Sequence, residues 1–204
     1  MKRAVIVHCI FWAVVLFCSC EGGVFDNGVK FTDPKEVATL PAILEKHIDP
    51  EDMITKIQFR KGDSDPSNFS FDKGKIEIYY VDPEDSKKEI FYMVDVKKNE
   101  AYVEEWSEKL SYPMYNKKGY KDVKVSTLGC ERIAEFVNAA IEIMAAENID
   151  ADGLGVYAIY PHSDPEKVKH EFTIEHVSGG GSRTINYVDY SFKVSLKDGK
   201  LKYE

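Results

Sequence analysis

The chain contains few cysteines, and their positions leave little room for disulfide bonding. It has four, and Cys130 is the only one beyond Cys20. A framework of disulfides is therefore excluded as the source of stability for the part that follows residue 20. An ordinary hydrophobic core must hold that part together.

Basic charge is also in deficit. Lys and Arg number 27 against 35 Asp and Glu, which gives a formal net charge of −8. Nucleic acid and anionic lipid surfaces repel such a chain, so neither is an expected partner. Apolar residues are plentiful, at 44% hydrophobic and 12% aromatic, which is typical of a packed chain rather than a disordered one.

The N-terminal apolar run is too short to cross a membrane. It extends from Ala4 to Phe17, fourteen residues, whereas a bilayer-spanning helix needs ~20. Lys2 and Arg3 precede this run, and the sequence Phe17-Cys18-Ser19-Cys20 closes it. A basic start, an apolar middle and small residues at the end are the pattern of an export signal.

The segment resembles the signal peptide and lipobox of bacterial lipoproteins. The resemblance implies that residues 1–19 are removed, that Cys20 carries the lipid, and that residues 20–28 form a lipidated tether. It also implies an exported protein anchored to a membrane of the bacterial cell envelope, facing the periplasm or the cell surface. An ordinary secretory signal is the alternative, but it leaves Cys130 and Cys20 without an explanation.

Three short matches recur in the same order along the chain. They are VKFT at 29–32 and VKVS at 123–126, HIDPED at 47–52 and NIDADG at 148–153, and SDP at 64–66 and 163–165. The order predicts an internal repeat.

Helical and strand periods alternate in the same way in both halves. Asp33 and Pro34 form an N-cap and first-turn pair, and Pro41 is expected to bend or split the helix that follows. A second helix is expected from about Thr127, with Cys130 on an apolar stripe that continues to Met144. After each helix the apolar period changes to two, as in strands.

The sequence therefore predicts an α+β fold of two tandem repeats. Residues 29–106 and 122–204 would each place a helix on a three- to four-stranded antiparallel sheet, and residues 107–121 would form a Tyr-rich linker. This plan resembles the tandem domains of PepSY-like and β-lactamase-inhibitor-like exported proteins. The resemblance implies a binding module, an inhibitor or an envelope component rather than an enzyme.

No catalytic or metal-binding motif is complete. Cys130 shares its apolar stripe, which predicts a buried, unreactive thiol. Asn148, Asp150 and Asp152 copy the start of a calcium-binding loop, but Ile159 occupies the position of the required Glu, so a helix-ending turn is the preferred interpretation.

The histidines and the glycine-rich segment are equally poor candidates. His170 and His176 share one face of a strand at a separation of ~20 Å, too far for a common metal ion. The glycines at 179–181 precede a strand rather than a helix, so they predict a hairpin tip rather than a phosphate cradle. We expect no catalytic residues, no metal and no cofactor.

The expected contact surface is the linker with its flanking aromatic residues. Trp106, Tyr112, Tyr115 and Tyr120 are the candidate partner-binding residues, unless they fold back to cap the sheets. The sequence thus favours a lipid-anchored, non-catalytic envelope module that binds a protein or a glycan. The alternatives are an envelope hydrolase with a site in the groove between the repeats, and a structural subunit of a surface assembly.

Overall fold

The computed structural model describes most of the chain after residue 28. The described residues are 29–49, 51–61, 69–85, 87–95, 100–109, 120–181 and 184–203. The predicted signal peptide, Cys20, the tether, Tyr112 and Tyr115 lie outside these ranges.

Nine strands and three short or medium helices make up the described part of the chain. The first half contains β1 (Val29–Lys30), α1 (Pro34–Val37), α2 (Leu40–Leu44), β2 (Ile54–Lys61), β3 (Ser70–Val81), β4 (Lys88–Asp95) and β5 (Glu100–Lys109). The second contains α3 (Ile133–Ala146), β6 (Gly153–Tyr160), β7 (Lys169–Gly181), β8 (Thr184–Ser195) and β9 (Leu201–Tyr203), with 3-10 turns at Val125–Thr127, Cys130–Arg132 and Pro165–Lys167.

The helix ends follow the predicted local chemistry. The Asp33 carboxylate accepts a hydrogen bond from the backbone N–H of Lys35, and Pro34 occupies the first turn, so α1 begins where its cap predicts. The predicted split is confirmed, since α2 starts anew at Leu40 with Pro41 in its first turn. The second helix begins later than Thr127, because Gly129 adopts a left-handed φ of 71° and interrupts the helix there.

All nine strands belong to one antiparallel sheet. Its order is β5-β4-β3-β2-β6-β7-β8-β9, and β1 pairs with β3. The two halves of the chain each supply a run of neighbouring strands, and these runs meet where β2 pairs with β6, with Ile57 opposite Ile159 and Phe59 opposite Tyr157.

The predicted fold class is therefore wrong in its main point. The chain is mixed α and β, but it does not form two tandem repeats that each carry a helix on a separate sheet. The physical reason is the pairing of β2 with β6, which satisfies the backbone groups of both strands and removes the two edges that separate sheets would expose.

One large hydrophobic cluster spans both halves of the chain, and a small second cluster of Tyr79, Phe91 and Met93 is separate from it. We call the side of the sheet that packs against the three helices the inner face. Phe31 places its ring centroid 5.3 Å from that of Phe59 and 5.2 Å from that of Tyr157, so aromatic contacts cross the junction of the halves. Val37 of α1 and Val137 of α3 belong to the same buried cluster.

The turns lie at the predicted positions, but the turn at 197–200 is not of the predicted type. The hairpin at Lys197–Lys200 is confirmed, yet only Gly199, with φ of 60°, is left-handed, whereas a type I′ turn would require this of Asp198 too. The glycines at 179–181 end β7 at a hairpin, as predicted. Asn148, with φ of 61°, ends α3 in a left-handed turn, which confirms the helix-ending interpretation.

Candidate functional site

The predicted aromatic surface is described only in part. Trp106 lies on β5, whose side chains lie outside the description. Tyr120 is the member of the set whose side chain can be placed. Its ring lies 6.2 Å from the ring of His162, at the mouth of a cavity on the other side of the sheet, which we call the outer face.

Cys130 is buried in the core, as its apolar stripe predicts. Burial raises the pKa of its thiol to about 12, and the charge of Glu131 acts in the same direction. A thiolate, the reactive form, is therefore scarce at neutral pH. The side chain contributes packing rather than nucleophilic chemistry.

His170 is buried beside Tyr157 and has no route to solvent. Its Nε2 lies 2.8 Å from the carbonyl oxygen of Leu128, and its Nδ1 lies 2.7 Å from the Tyr157 hydroxyl. A carbonyl only accepts, so Nε2–H donates to Leu128, and Nδ1 accepts from Tyr157. Burial lowers the pKa of His170 to about 4, which keeps the ring neutral. The pair ties the turn before α3 to the sheet.

His176 has a different role from His170, although both point to the inner face as predicted. Its Nδ1 lies 2.9 Å from the carbonyl oxygen of Asp150 and 3.3 Å from Asp152 Oδ2. The same Asp152 carboxylate accepts the backbone N–H of Val177. These contacts fasten the end of α3 to β7, and no group of side chains with metal-binding geometry occurs among the described residues.

A buried carboxylate on the outer face is fully engaged. Glu77 accepts hydrogen bonds from Gln58 Nε2 at 2.9 Å and from the Tyr79 hydroxyl at 2.6 Å, and Arg60 Nε lies 2.7 Å away. Both carboxylate oxygens thus have partners, and Glu77 links side chains of β2 and β3.

The exposed apolar side chains are concentrated on one hairpin. The last pairing of β7 with β6 is at Glu175, whereas β7 and β8 remain paired to Gly181 and Thr184. We call residues 176–181 and 184–188 the projecting ribbon. Four of the five exposed large apolar side chains in the described part of the chain lie on it: Val177, Ile185, Tyr187 and Val188.

Three of these side chains share one face of the ribbon. Val177 stands opposite Tyr187, and Ile185 follows Tyr187 at the strand period of two. Ile185 is 50% exposed, more than any other large apolar side chain described. An apolar stripe in water is costly and marks a contact surface in many proteins.

One edge of the ribbon is open among the described strands. β9 pairs with β8 only from Phe192 to Val194, so the part of β8 before Phe192 has β7 as its one described neighbour. At the base of the ribbon Glu175 stands opposite Asp189, which makes this end acidic. An open edge with an apolar stripe and an acidic base is a template for a further strand.

A cavity of about 600 Å³ opens on the outer face beside the second half of the sheet. Aromatic and charged side chains line it together, among them Tyr120, Tyr160, His162, Lys169 and Glu171. Burial, together with the charge of Glu171 and a hydrogen bond to it, raises the pKa of Tyr160 to about 12. The Tyr160 hydroxyl therefore stays protonated at neutral pH and donates to the Glu171 carboxylate.

The ribbon was not predicted as a functional surface. Its signal in the sequence is that residues 184–190 carry apolar side chains on both faces, Ile185 and Tyr187 on one and Val188 and Tyr190 on the other, among three polar residues. Such a strand is normally buried on both faces. The structure shows that this one projects, because the pairing of β6 with β7 and that of β9 with β8 both stop short of the ribbon.

Comparison with known proteins places the chain in no family. No protein-family model, no curated protein and no solved structure matches it significantly. Within the described residues, no helix combines the length and apolar character that a membrane crossing requires.

Proposed function

We propose that this chain is a non-catalytic binding module of the bacterial cell envelope, anchored by lipid on Cys20, and that the projecting ribbon holds a protein partner. The observation that carries the proposal is the concentration of exposed apolar side chains on that ribbon. The partner is an extended protein segment with apolar and basic side chains that adds as a strand beside β8.

The partner chemistry follows from three features of the ribbon. Backbone groups along the open edge of β8 supply hydrogen bonds to any extended chain. The stripe of Val177, Ile185 and Tyr187 would pack against apolar side chains of the partner. The acidic side chains of Glu175 and Asp189 would attract basic side chains of the partner.

The hydrolase alternative loses its proposed location. It requires a groove between two repeats, but β2 and β6 are hydrogen-bonded neighbours at that junction. Among the described residues, burial raises the pKa of the Cys130 thiol, and His170 is held by hydrogen bonds to Leu128 and Tyr157. A structural role in a surface assembly uses the same open edge and differs only in the identity of the partner.

A photocrosslinking amino acid at Ile185 tests the ribbon in cells that make the lipidated protein. We expect a discrete protein adduct, joined through an extended segment that contains apolar and basic residues. Tyr187→Lys should remove it, because the new charge repels a basic segment. Tyr203→Lys is the matched control, since Tyr203 is 37% exposed against 39% for Tyr187 but lies outside the ribbon.

Equal adduct yield in both variants would show that the contact does not depend on the ribbon. An adduct between two copies of this chain would show that the ribbon binds a second copy of the protein and not a separate partner.

The anchor is tested separately. Cys20→Ser should abolish incorporation of labelled fatty acid and release the protein from membranes. Unchanged membrane retention would refute the lipid anchor without affecting the ribbon.

A glycan partner is the second candidate function. The cavity on the outer face favours it, because Tyr120 and Tyr160 line it beside polar and charged groups.

A further inference from the structure

The two edges of the projecting ribbon differ in regularity. Along β7 the register shifts between Val177 and Gly179, so this edge carries a bulge and then continues as glycines. A bulge twists an edge away from a further strand, and glycines offer that strand no side chains to pack against. β8 passes through the same stretch without an extra residue, so its edge is the one suited to a partner.

Contacts at the base of the ribbon occupy the β7 edge there. The backbone N–H of Val177 donates to Asp152 Oδ2 at 2.7 Å, and the carbonyl oxygen of Glu175 accepts the backbone N–H of Asp152 at 2.9 Å. Odd-numbered residues of β7 before the bulge thus direct their backbone groups away from β8. Even-numbered residues direct theirs toward it, because the direction alternates along a strand.

The same alternation fixes the direction of the backbone groups of β8. The N–H of Leu196 donates to the carbonyl oxygen of Val168 on the β7 side at 3.1 Å. The carbonyl oxygen of Ser195 instead accepts the N–H of Gly199, in the turn toward β9, at 2.9 Å. Odd-numbered residues of β8 therefore direct their N–H and C=O groups to the side on which β9 lies.

Backbone groups of Ile185 and Asp189 point into the lane that β9 occupies farther along β8. We call the part of this lane opposite residues 185–189 the open lane, since none of the described strands fills it. All strand pairs of the described sheet are antiparallel, including β8 with β9. Antiparallel pairing is also the more stable per residue, so a strand in the open lane should run in the direction of β9.

Side chains along the open lane alternate between the two faces of the sheet. Phe192 belongs to the core on the inner face, so Val188 and Asn186 point to that face, whereas Asp189 and Ile185 point to the outer face. Val188 is 41% exposed and Ile185 is 50% exposed. A directly opposite residue of a paired strand lies on the same face about 5 Å away, so each ribbon residue selects its own counterpart.

We propose that the partner segment enters the open lane antiparallel to β8 with five residues that are, from its N-terminus, basic, apolar, apolar, polar and apolar. The basic side chain meets the Asp189 carboxylate. The apolar side chains meet Val188, Tyr187 and Ile185, and the polar one meets Asn186. Backbone bonds supply the affinity in this mode of binding, and the order of side chains supplies the specificity. The inference rests on the proposed function, since it specifies the partner of the same ribbon.

A synthetic peptide tests this order of side chains. Ser-Lys-Val-Val-Thr-Val-Ser, with acetylated and amidated ends, is titrated into the folded, unlipidated protein and followed by NMR of the backbone amides. We expect saturable shifts at residues 185–189. The reversed peptide, Ser-Val-Thr-Val-Val-Lys-Ser, has the same composition and should bind more weakly, because its lysine would stand opposite Ile185 and not opposite Asp189.

A nitroxide label at the N-terminus of the first peptide measures the direction of entry. Antiparallel entry brings the label to the Asp189 end of the open lane, so the amide signal of Asp189 should broaden more strongly than that of Ile185. Stronger broadening at Ile185 would show parallel entry and would overturn the proposed direction and order.

Asp189→Asn tests the basic position. It should weaken binding of the lysine peptide about threefold, as expected for an exposed ion pair, and leave unchanged the binding of a peptide with glutamine in place of lysine. Asp198→Asn is the matched control, because Asp198 is also exposed but lies on the β8–β9 turn outside the open lane. Equal loss of affinity in the two variants would indicate a general charge effect and would overturn the basic position.

The results separate this inference from the proposed function. Shifts along the ribbon with equal affinity for both peptide orders would overturn the order and retain strand addition. If neither peptide shifts the ribbon signals at millimolar concentration, the inference is wrong. The photocrosslink from Ile185 would then decide by itself whether the ribbon holds a protein.

Discussion

His170 makes the stability of the protein sensitive to moderate acid. Its ring is neutral in the folded state because burial lowers the pKa to about 4, whereas the ordinary pKa of a histidine in an unfolded chain is 6.5. Between these values the unfolded chain binds the proton and the folded chain does not.

The free energy of unfolding should therefore fall as pH falls from about 6.5 to about 4. The slope attributable to His170 is up to ~1.4 kcal/mol per pH unit, about 3 kcal/mol in total. Urea unfolding at a series of pH values measures it.

His170→Gln is the comparison that isolates this residue. The variant should be less stable at neutral pH, because Tyr157 loses its acceptor, but the difference between the two proteins should shrink as pH falls. A constant difference from pH 7 to pH 4 would contradict a neutral buried ring.

Cys130 should react with thiol reagents only when the protein unfolds. Its thiol is buried, and burial raises its pKa to about 12, so both access and thiolate are lacking. In a Cys20→Ser background, labelling should follow the population of unfolded chain as urea increases. Rapid labelling in buffer, at the rate of a free peptide thiol, would place Cys130 at the surface.

For single residues, the sequence predicts which side chains are buried better than it predicts their hydrogen-bond partners. The apolar stripe around Cys130 is local, so its burial follows from helical spacing alone. The hydrogen bond from His170 to Leu128 joins residues 42 positions apart. No local pattern contains that information.

Among the elements, the start of α3 depends on one glycine. Gly129 has φ of 71°, and a Cβ there would lie 2.7 Å from Leu196 Cδ1 and 3.4 Å from His170 Nε2. Gly129→Ala should destabilise the protein by at least ~1–2 kcal/mol, from backbone strain alone. Thermal or urea unfolding measures the loss.

A double variant separates strain from crowding. Leu196→Ala removes the nearest side chain, so the added cost of Gly129→Ala should be smaller in that background but should not vanish. Full additivity of the two substitutions would show that the crowding contributes nothing.

The predicted elements mostly occur where their local signals place them. Caps, prolines and the period of two act within a few residues, so Asp33 and Pro41 mark helix ends correctly. α3 begins later than the sequence predicts because Gly129 is left-handed. A glycine inside a helical pattern does not indicate a left-handed φ, so this interruption could not be predicted. Tyr120 is the one predicted partner-binding residue whose side chain the structure describes, and it lines a cavity. The other residues of that cavity come together through strand register, which the sequence does not show.

The molecule as a whole should unfold in one step. Both halves bury side chains in one core, in which Phe31, Phe59 and Tyr157 are in mutual contact. Fluorescence of Trp106, the one tryptophan after residue 20, reports on the first half. Labelling of Cys130 reports on the second, and the two transitions should coincide.

Phe59→Ala sharpens this expectation. Loss of a buried aromatic ring at the junction should cost ~3–5 kcal/mol and move both transitions together. If the halves had separate cores, the variant would shift the Trp106 signal and leave Cys130 protection unchanged.

The pairing of β2 with β6 is the feature that sequence reasoning missed at this scale. Each strand shows an ordinary alternation, and each could equally begin a sheet of its own. Ile57 and Ile159 meet because two surfaces far apart in the chain are complementary. Such complementarity is a property of the assembled sheet and leaves no mark in either strand.

The pairing of β2 with β6 also determines when the sheet can be completed during synthesis of the chain. The ribosome synthesises β2 to β5 before β6. The edge of β2 that later pairs with β6 at Ile57 and Phe59 is therefore unpaired until α3 and β6 have been translated. During this interval the partly formed sheet exposes an unpaired strand edge, which can pair wrongly with other nascent chains. A holding chaperone that shields β2 until residue 160 has emerged would therefore increase the yield of native protein more than one that acts on the completed chain.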